Sequence, residues 1–108
     1  MSKLKSITAN CPIDLTINIL SGKWKIAILW NLSKGAVRFN ELKRMLPGIT
    51  HKILTMQLRE LERDKMIYRK VYNEIPPKVE YGLTEVGKSI RPVLKSMCDW
   101  GKEYKNLI

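Results

Sequence analysis

The stretch that decides the reading is residues 39–61: Phe39-Asn40-Glu41-Leu42-Lys43-Arg44-Met45-Leu46-Pro47-Gly48-Ile49-Thr50-His51-Lys52-Ile53-Leu54-Thr55-Met56-Gln57-Leu58-Arg59-Glu60-Leu61. Phe39, Leu42 and Met45/Leu46 recur at helical spacing and predict an inward-facing stripe. Pro47-Gly48 breaks that helix, since proline lacks the N–H and glycine favours a reversal. Thr50 is a good N-cap and Ile49 before it a candidate staple. Leu54, Leu58 and Leu61 then mark one face of a helix over about residues 50–64. Two helices meeting across a tight Pro-Gly turn form a helix-turn-helix pattern.

Beyond Lys65 the period changes from helix to strand. Ile67, Arg69 and Val71 alternate with Tyr68, Lys70 and Tyr72; Val79, Tyr81 and Leu83 alternate with Lys78, Glu80 and Gly82. Pro76-Pro77 stiffens the connection, so the segment predicts a two-stranded hairpin. Thr84 caps a closing helix in which Pro92 sets a kink or a new turn. Upstream, Pro12 and Asp14 suit the first turn of a helix carrying Ile13, Ile17 and Leu20. A second helix, about Lys23 to Ser33, carries Trp24, Ala27, Ile28 and Leu32. Trp24 and Trp30 read as core, and Ala36-Val37-Arg38 as a short extended piece. The fold class expected is mainly α with a small β-hairpin, a winged helix-turn-helix of order α-α-β-α-α-β-β-α. It forms one domain over 11–108 behind a flexible arm at 1–10, with 84–108 as a C-terminal dimerisation helix.

The chain has 108 residues, 20 Lys+Arg against 10 Asp+Glu, and a formal charge of +10. That length fits one domain with a modest core. The charge calls for a polyanionic partner, either nucleic acid or an anionic membrane surface. It is spread over amphipathic segments, and no block of five like charges makes a basic tail. No apolar run approaches the ~18 residues of a membrane span, and the N-terminus has no signal-peptide pattern. Two cysteines 87 positions apart and a single histidine leave no zinc framework, and no cofactor or nucleotide motif is present, so neither metal nor cofactor is expected. Absence of a cysteine framework fits a reducing cytoplasm.

On the fourth helix, with Leu54 at 0°, Leu58 and Leu61 fall near +40° and −20°, while Thr55, Arg59, Lys52, Arg63 and Met56 span about 100° to 200°. Lys and Arg neutralise phosphate, Arg also grips guanine bidentately, and Thr or Met can meet a thymine methyl. The helix start, Thr50, His51 and Lys52, approaches base edges or phosphates in such motifs. The bland alternative is a solvated face whose arginines pair with Glu60, Glu62 or Asp64. In the hairpin, Arg69, Lys70 and Lys78 bracket the loop; Arg38 and Asn40 flank the motif; Lys23 and Lys25 are weaker candidates for phosphate contacts.

These residues also carry a family likeness. Cys11-Pro12-Ile13, Leu20-Ser21-Gly22-Lys23-Trp24, Arg38-Phe39-Asn40-Glu41-Leu42, Pro47-Gly48-Ile49-Thr50, Leu54, Leu58, Leu61-Glu62, Pro76-Pro77-Lys78-Val79-Glu80-Tyr81 and Leu83-Thr84-Glu85-Val86-Gly87 resemble the HxlR-type transcriptional regulators, within the MarR-like winged-helix group. The likeness covers about residues 11 to 101. It implies a cytoplasmic bacterial dimer that binds DNA through the fourth helix and the wing; the leading reading is a homodimeric, sequence-specific regulator of double-stranded DNA without catalysis.

Apolar residues Ile13, Ile90, Met97, Trp100 and Tyr104 on the first and last helices exceed what one small domain covers, and are expected at a dimer interface. Cys11, at the start of a helix and near Lys3 and Lys5, sits where a thiol pKa falls and reactivity rises. Asp14 works against this. Some members of the family sense oxidants or electrophiles at an N-terminal cysteine, which makes Cys11 a candidate redox sensor; the alternative is inert packing. Cys98 reads as core or dimer packing. Two rival functions stay open: a winged helix that docks a protein partner and binds little DNA, and a small nucleic-acid enzyme. The first calls for an apolar or acidic fourth helix, and the second for clustered metal-binding carboxylates.

Overall fold

The computed structural model describes residues 12–108; Cys11 and the arm at 1–10 lie outside that range. The described elements are α1 (Ile13–Leu20), α2 (Lys25–Leu32), β1 (Val37–Arg38), α3 (Phe39–Met45), α4 (His51–Arg63), β2 (Ile67–Tyr72), β3 (Lys78–Leu83), α5 (Glu85–Lys88) and α6 (Arg91–Leu107). The fold is a winged helix-turn-helix, mainly helical, with one antiparallel sheet of order β1-β3-β2. The extended piece at 36–38 does more than the sequence suggested. It pairs with the outer side of β3, Val37 opposite Tyr81 and Arg38 opposite Glu80, and turns the expected hairpin into three strands.

The core sits where the apolar stripes of α2, α3 and α4 meet. Ile28, Leu29, Leu32, Leu42, Leu54, Leu58 and Leu61 are at most 1% exposed. Burying each such side chain stabilises the fold by about 1.5–3 kcal/mol before entropy is counted. Leu46 and Ile49 close the turn from α3 to α4, where Gly48 takes φ 92°. Met45, half of the inward Met45/Leu46 pair, is exposed, because Leu46 alone reaches the core. Trp30 is also exposed, correcting its reading as core: Ile28, Leu29 and Leu32 fill the buried side of α2 and leave that ring outside. Of the first helix's apolar face, Leu20 is buried while Ile13 and Ile17 stand in solvent.

The expected single closing helix is two. Thr84 Oγ1 accepts from Gly87 N at 2.9 Å, capping α5, and donates to the Lys65 carbonyl at 2.6 Å, tying this turn to the end of α4. A Cβ on Gly87 would collide with the Met66 carbonyl oxygen, so only glycine lets α5 lie this close to β2. The chain then restarts at Arg91 with Pro92 in the first turn of α6, the position proline tolerates. No described helix is long and apolar enough to cross a membrane.

Candidate nucleic-acid interface

α4 begins as its sequence requires. Thr50 is extended, and its hydroxyl oxygen accepts from Ile53 N at 3.1 Å, satisfying one otherwise orphaned donor. Leu54, Leu58 and Leu61 hold the inner face in the core, which turns Lys52, Met56, Arg59 and Arg63 to solvent and leaves Thr55 half-buried. His51, the first helical residue, lies against Phe39, the first residue of α3. Their rings are 4.8 Å apart and tilted by 52°, and Phe39 in turn approaches Tyr81 of the wing at 6.4 Å. A chain of rings therefore links α4, α3 and β3.

Between α4 and the wing lies an open groove of about 850 Å³. Its lining gathers Arg38, Arg44, Arg59, Arg69 and Lys78, with Glu41 and Glu62 as the acids, and Glu41 is already paired to Arg44 at 2.6 Å. Seven of the residues singled out from sequence line it: Arg38, Asn40, His51, Thr55, Arg59, Arg69 and Lys78. Thr50, Lys52, Met56, Arg63 and Lys70 do not line the groove; all five are solvent-facing. Arg63 is in part the solvated cation of the bland alternative, its Nε 3.4 Å from Asp64 Oδ1. Arg44 was missed, although its i+4 spacing from Asn40 puts both on one face of α3.

The wing has its own organisation, which strand alternation alone does not reveal. Tyr72 is a platform: the Lys70 and Lys78 ammonium groups lie 4.9 and 4.4 Å from its ring centroid. Its hydroxyl donates to Glu80 Oε1 at 3.0 Å, and Lys78 Nζ lies 3.4 Å from Glu80 Oε2. The Tyr72 hydroxyl, foremost, with Lys78 and Arg38 adding positive charge, holds the Glu80 carboxyl below the usual glutamate value, while desolvation works the other way. Both wing lysines thus have a partner within the wing itself, the Tyr72 ring for Lys70, and that ring and the Glu80 carboxylate for Lys78.

Three sequence expectations move elsewhere. Lys25 is no phosphate ligand: it is buried, with its Nζ 2.6 Å from Glu60 Oε1. Ile90 packs against the domain's own core, and the exposed apolar side of α6 is instead Val93, Met97, Trp100 and Tyr104. Cys98 is exposed on α6 and is not core.

Comparison with known proteins agrees with this geometry. The HxlR-like helix-turn-helix family matches residues 19–108. The HTH-type transcriptional regulator YdeP of Bacillus subtilis is 52% identical over 98 residues, 91% of this chain and 77% of that protein. Among solved structures, the redox regulator HypR in its reduced form superposes with a TM-score of 0.86 at 42% identity, covering 90% of this chain and 96% of that one. The HTH-type transcriptional regulator YtcD superposes at 0.84 with 48% identity, covering 89% and 98%. With the family matched over most of its length and the fold shared with its regulators, the chain belongs to the HxlR-like helix-turn-helix family.

Proposed function

We propose that this chain is a sequence-specific transcriptional regulator that binds double-stranded DNA as a homodimer in the cytoplasm, without catalysis. α4 enters the major groove, where Thr55 and Arg59 meet base edges, and the wing lies on the flanking backbone or minor groove. The observation that carries this reading is the groove between α4 and the wing, in which five cations converge on one concave face. Phosphate neutralisation supplies affinity there, and the arginine and threonine of α4 supply discrimination.

Dimerisation is supported by the apolar sides of α1 and α6. Ile13 and Ile17 on α1 are exposed, and so are Val93, Met97, Trp100 and Tyr104 on α6, where the Trp100 and Tyr104 rings stack 5.2 Å apart. A row of exposed apolar side chains along one helix is the kind of surface that marks an interaction site. Thiol sensing at Cys11 is supported by its place ahead of α1 and by the likeness to a redox regulator. Selection of bound sequences from random duplexes tests the reading. It should enrich an inverted repeat with half-sites about 34 Å apart, and recovery of no motif above the input library would reject it.

A further inference from the structure

The α1–α2 turn and the first residue of α2 touch the back of α4 at two points with matched spacing. Gly22, at φ 104°, lies so close over Gln57 that a Cβ there would sit 3.1 Å from Gln57 Oε1. Three residues later, Lys25 is 3% exposed and its Nζ lies 2.6 Å from Glu60 Oε1, on a side chain that is 35% exposed. Gln57 and Glu60 are also three apart, so they share one flank of α4. On the same helix wheel they fall near −60° and −120°, across the core stripe from Thr55 and Arg59. The contact therefore grips the helix on the side away from the groove.

A buried ammonium needs a partner charge within hydrogen-bond reach. An ion pair of this kind adds little net stability over a well-packed apolar pair, because desolvation offsets attraction. What it does add is direction. The leucines of α4 specify which face is inward, but apolar packing tolerates small rolls of the helix. A side-chain tip about 5–6 Å from the axis moves by roughly 2 Å when the helix rolls by about 20°. A bidentate arginine contact to a base does not survive a shift of that size.

We infer that Lys25 and Glu60 are positioning residues for sequence recognition, the ion pair between the buried lysine and the partly exposed carboxylate setting the roll of α4 so that Arg59 and Thr55 meet base edges in one geometry. This rests on α4 being the reading helix. The design of the pair is then intelligible: Lys25 follows directly on Ser21-Gly22-Lys23-Trp24, and the turn that brings it in is itself seated on Gln57.

The test is the double variant Lys25→Met/Glu60→Gln, which preserves side-chain size, leaves no buried charge and keeps the net charge unchanged. Glu60→Gln alone and Arg59→Ala are measured beside it. The probes are a duplex selected by the wild type from a random library and a scrambled duplex of equal length. The double variant should keep its unfolding midpoint near that of the wild type, bind the scrambled duplex within twofold of the wild type with the same salt slope, and lose at least tenfold in the ratio of selected to scrambled affinity. Glu60→Gln should lose part of that ratio. A ratio within twofold of the wild type in a stable double variant overturns the inference. So does loss of folding, because the pair would then hold the fold and not aim the helix. If Arg59→Ala leaves the ratio unchanged, α4 is not the reader and the underlying function reading fails; if it lowers the ratio while the double variant does not, only the role of the ion pair fails.

Discussion

The rings of Phe39 and His51, the first residues of α3 and α4, lie 4.8 Å apart across the Pro47-Gly48 turn. The contact fixes the start of α4 against its neighbour at the end nearest the groove. A tilted ring pair of this kind contributes about 0.5–1.5 kcal/mol beyond its area. Phe39→Leu keeps the apolar bulk and removes the ring. It should lower the unfolding free energy by about 1 kcal/mol in urea and weaken binding to a selected operator. Unchanged operator affinity would show that the ring pair does not orient the helix start.

Arg59 and Lys70 should differ in kind. Arg59→Ala should cost about 1–3 kcal/mol per half-site on the operator if it grips a guanine, and much less on unrelated DNA. If Lys70 contacts phosphate, Lys70→Ala should weaken both duplexes alike and flatten the salt slope by about one. Titrations at several salt concentrations separate the two. Equal losses on all sequences for both variants would remove α4 from the role of reader.

Tyr72 and Glu80 make a prediction about acid. The folded-state carboxyl of Glu80 titrates below its ordinary value, so its contribution is complete above the ordinary glutamate range and is lost as pH falls through the lowered folded value. The wing network therefore stays intact at mildly acidic pH. Ring resonances of Tyr72 followed by NMR should titrate with a midpoint below that of a free glutamate, and the step should vanish in Glu80→Gln. A midpoint at or above the ordinary value would contradict the arrangement.

Trp100 and Tyr104 should hold two copies together. Trp100→Glu places a charge in the centre of the exposed stripe on α6 and should shift the protein to monomer at micromolar concentration in sedimentation, with far-UV CD unchanged. Wild-type protein sedimenting only as a monomer would remove the homodimer.

Cys11 should respond to thiol oxidants if it senses. Diamide treatment should then change operator binding in the wild type and not in Cys11→Ser. A thiol pKa near 8.5 with binding unchanged by treatment would leave it a packing residue.

Much of the fold was legible because its elements end at chemically unambiguous places. Pro47-Gly48 stops α3, Thr50 caps α4 through Ile53 N, and the leucines at 54, 58 and 61 are all buried. What local pattern does not reveal is which long-range partner a residue finds. The extended piece at Val37–Arg38 gains a third strand's role only by meeting Tyr81 and Glu80. Lys25 looks like any basic surface residue until Glu60 arrives from α4, thirty-five positions on, to bury it. Trp30 misleads for the opposite reason: its apolar character predicts the core, but three aliphatic neighbours already fill that side of α2. Within the site, the polar face of α4 followed from helix geometry. The Tyr72 platform did not, because it depends on residues 70, 72, 78 and 80 converging across a strand pair.

In the proposed complex α4 is the element that reads DNA sequence. The most direct test compares the motifs selected from a random duplex library by the wild type and by Arg59→Ala. The wild type should yield a symmetric inverted repeat, and the variant should yield the same repeat with one symmetry-related position in each half-site relaxed. An identical motif from both proteins, or no motif from the wild type, would contradict the account.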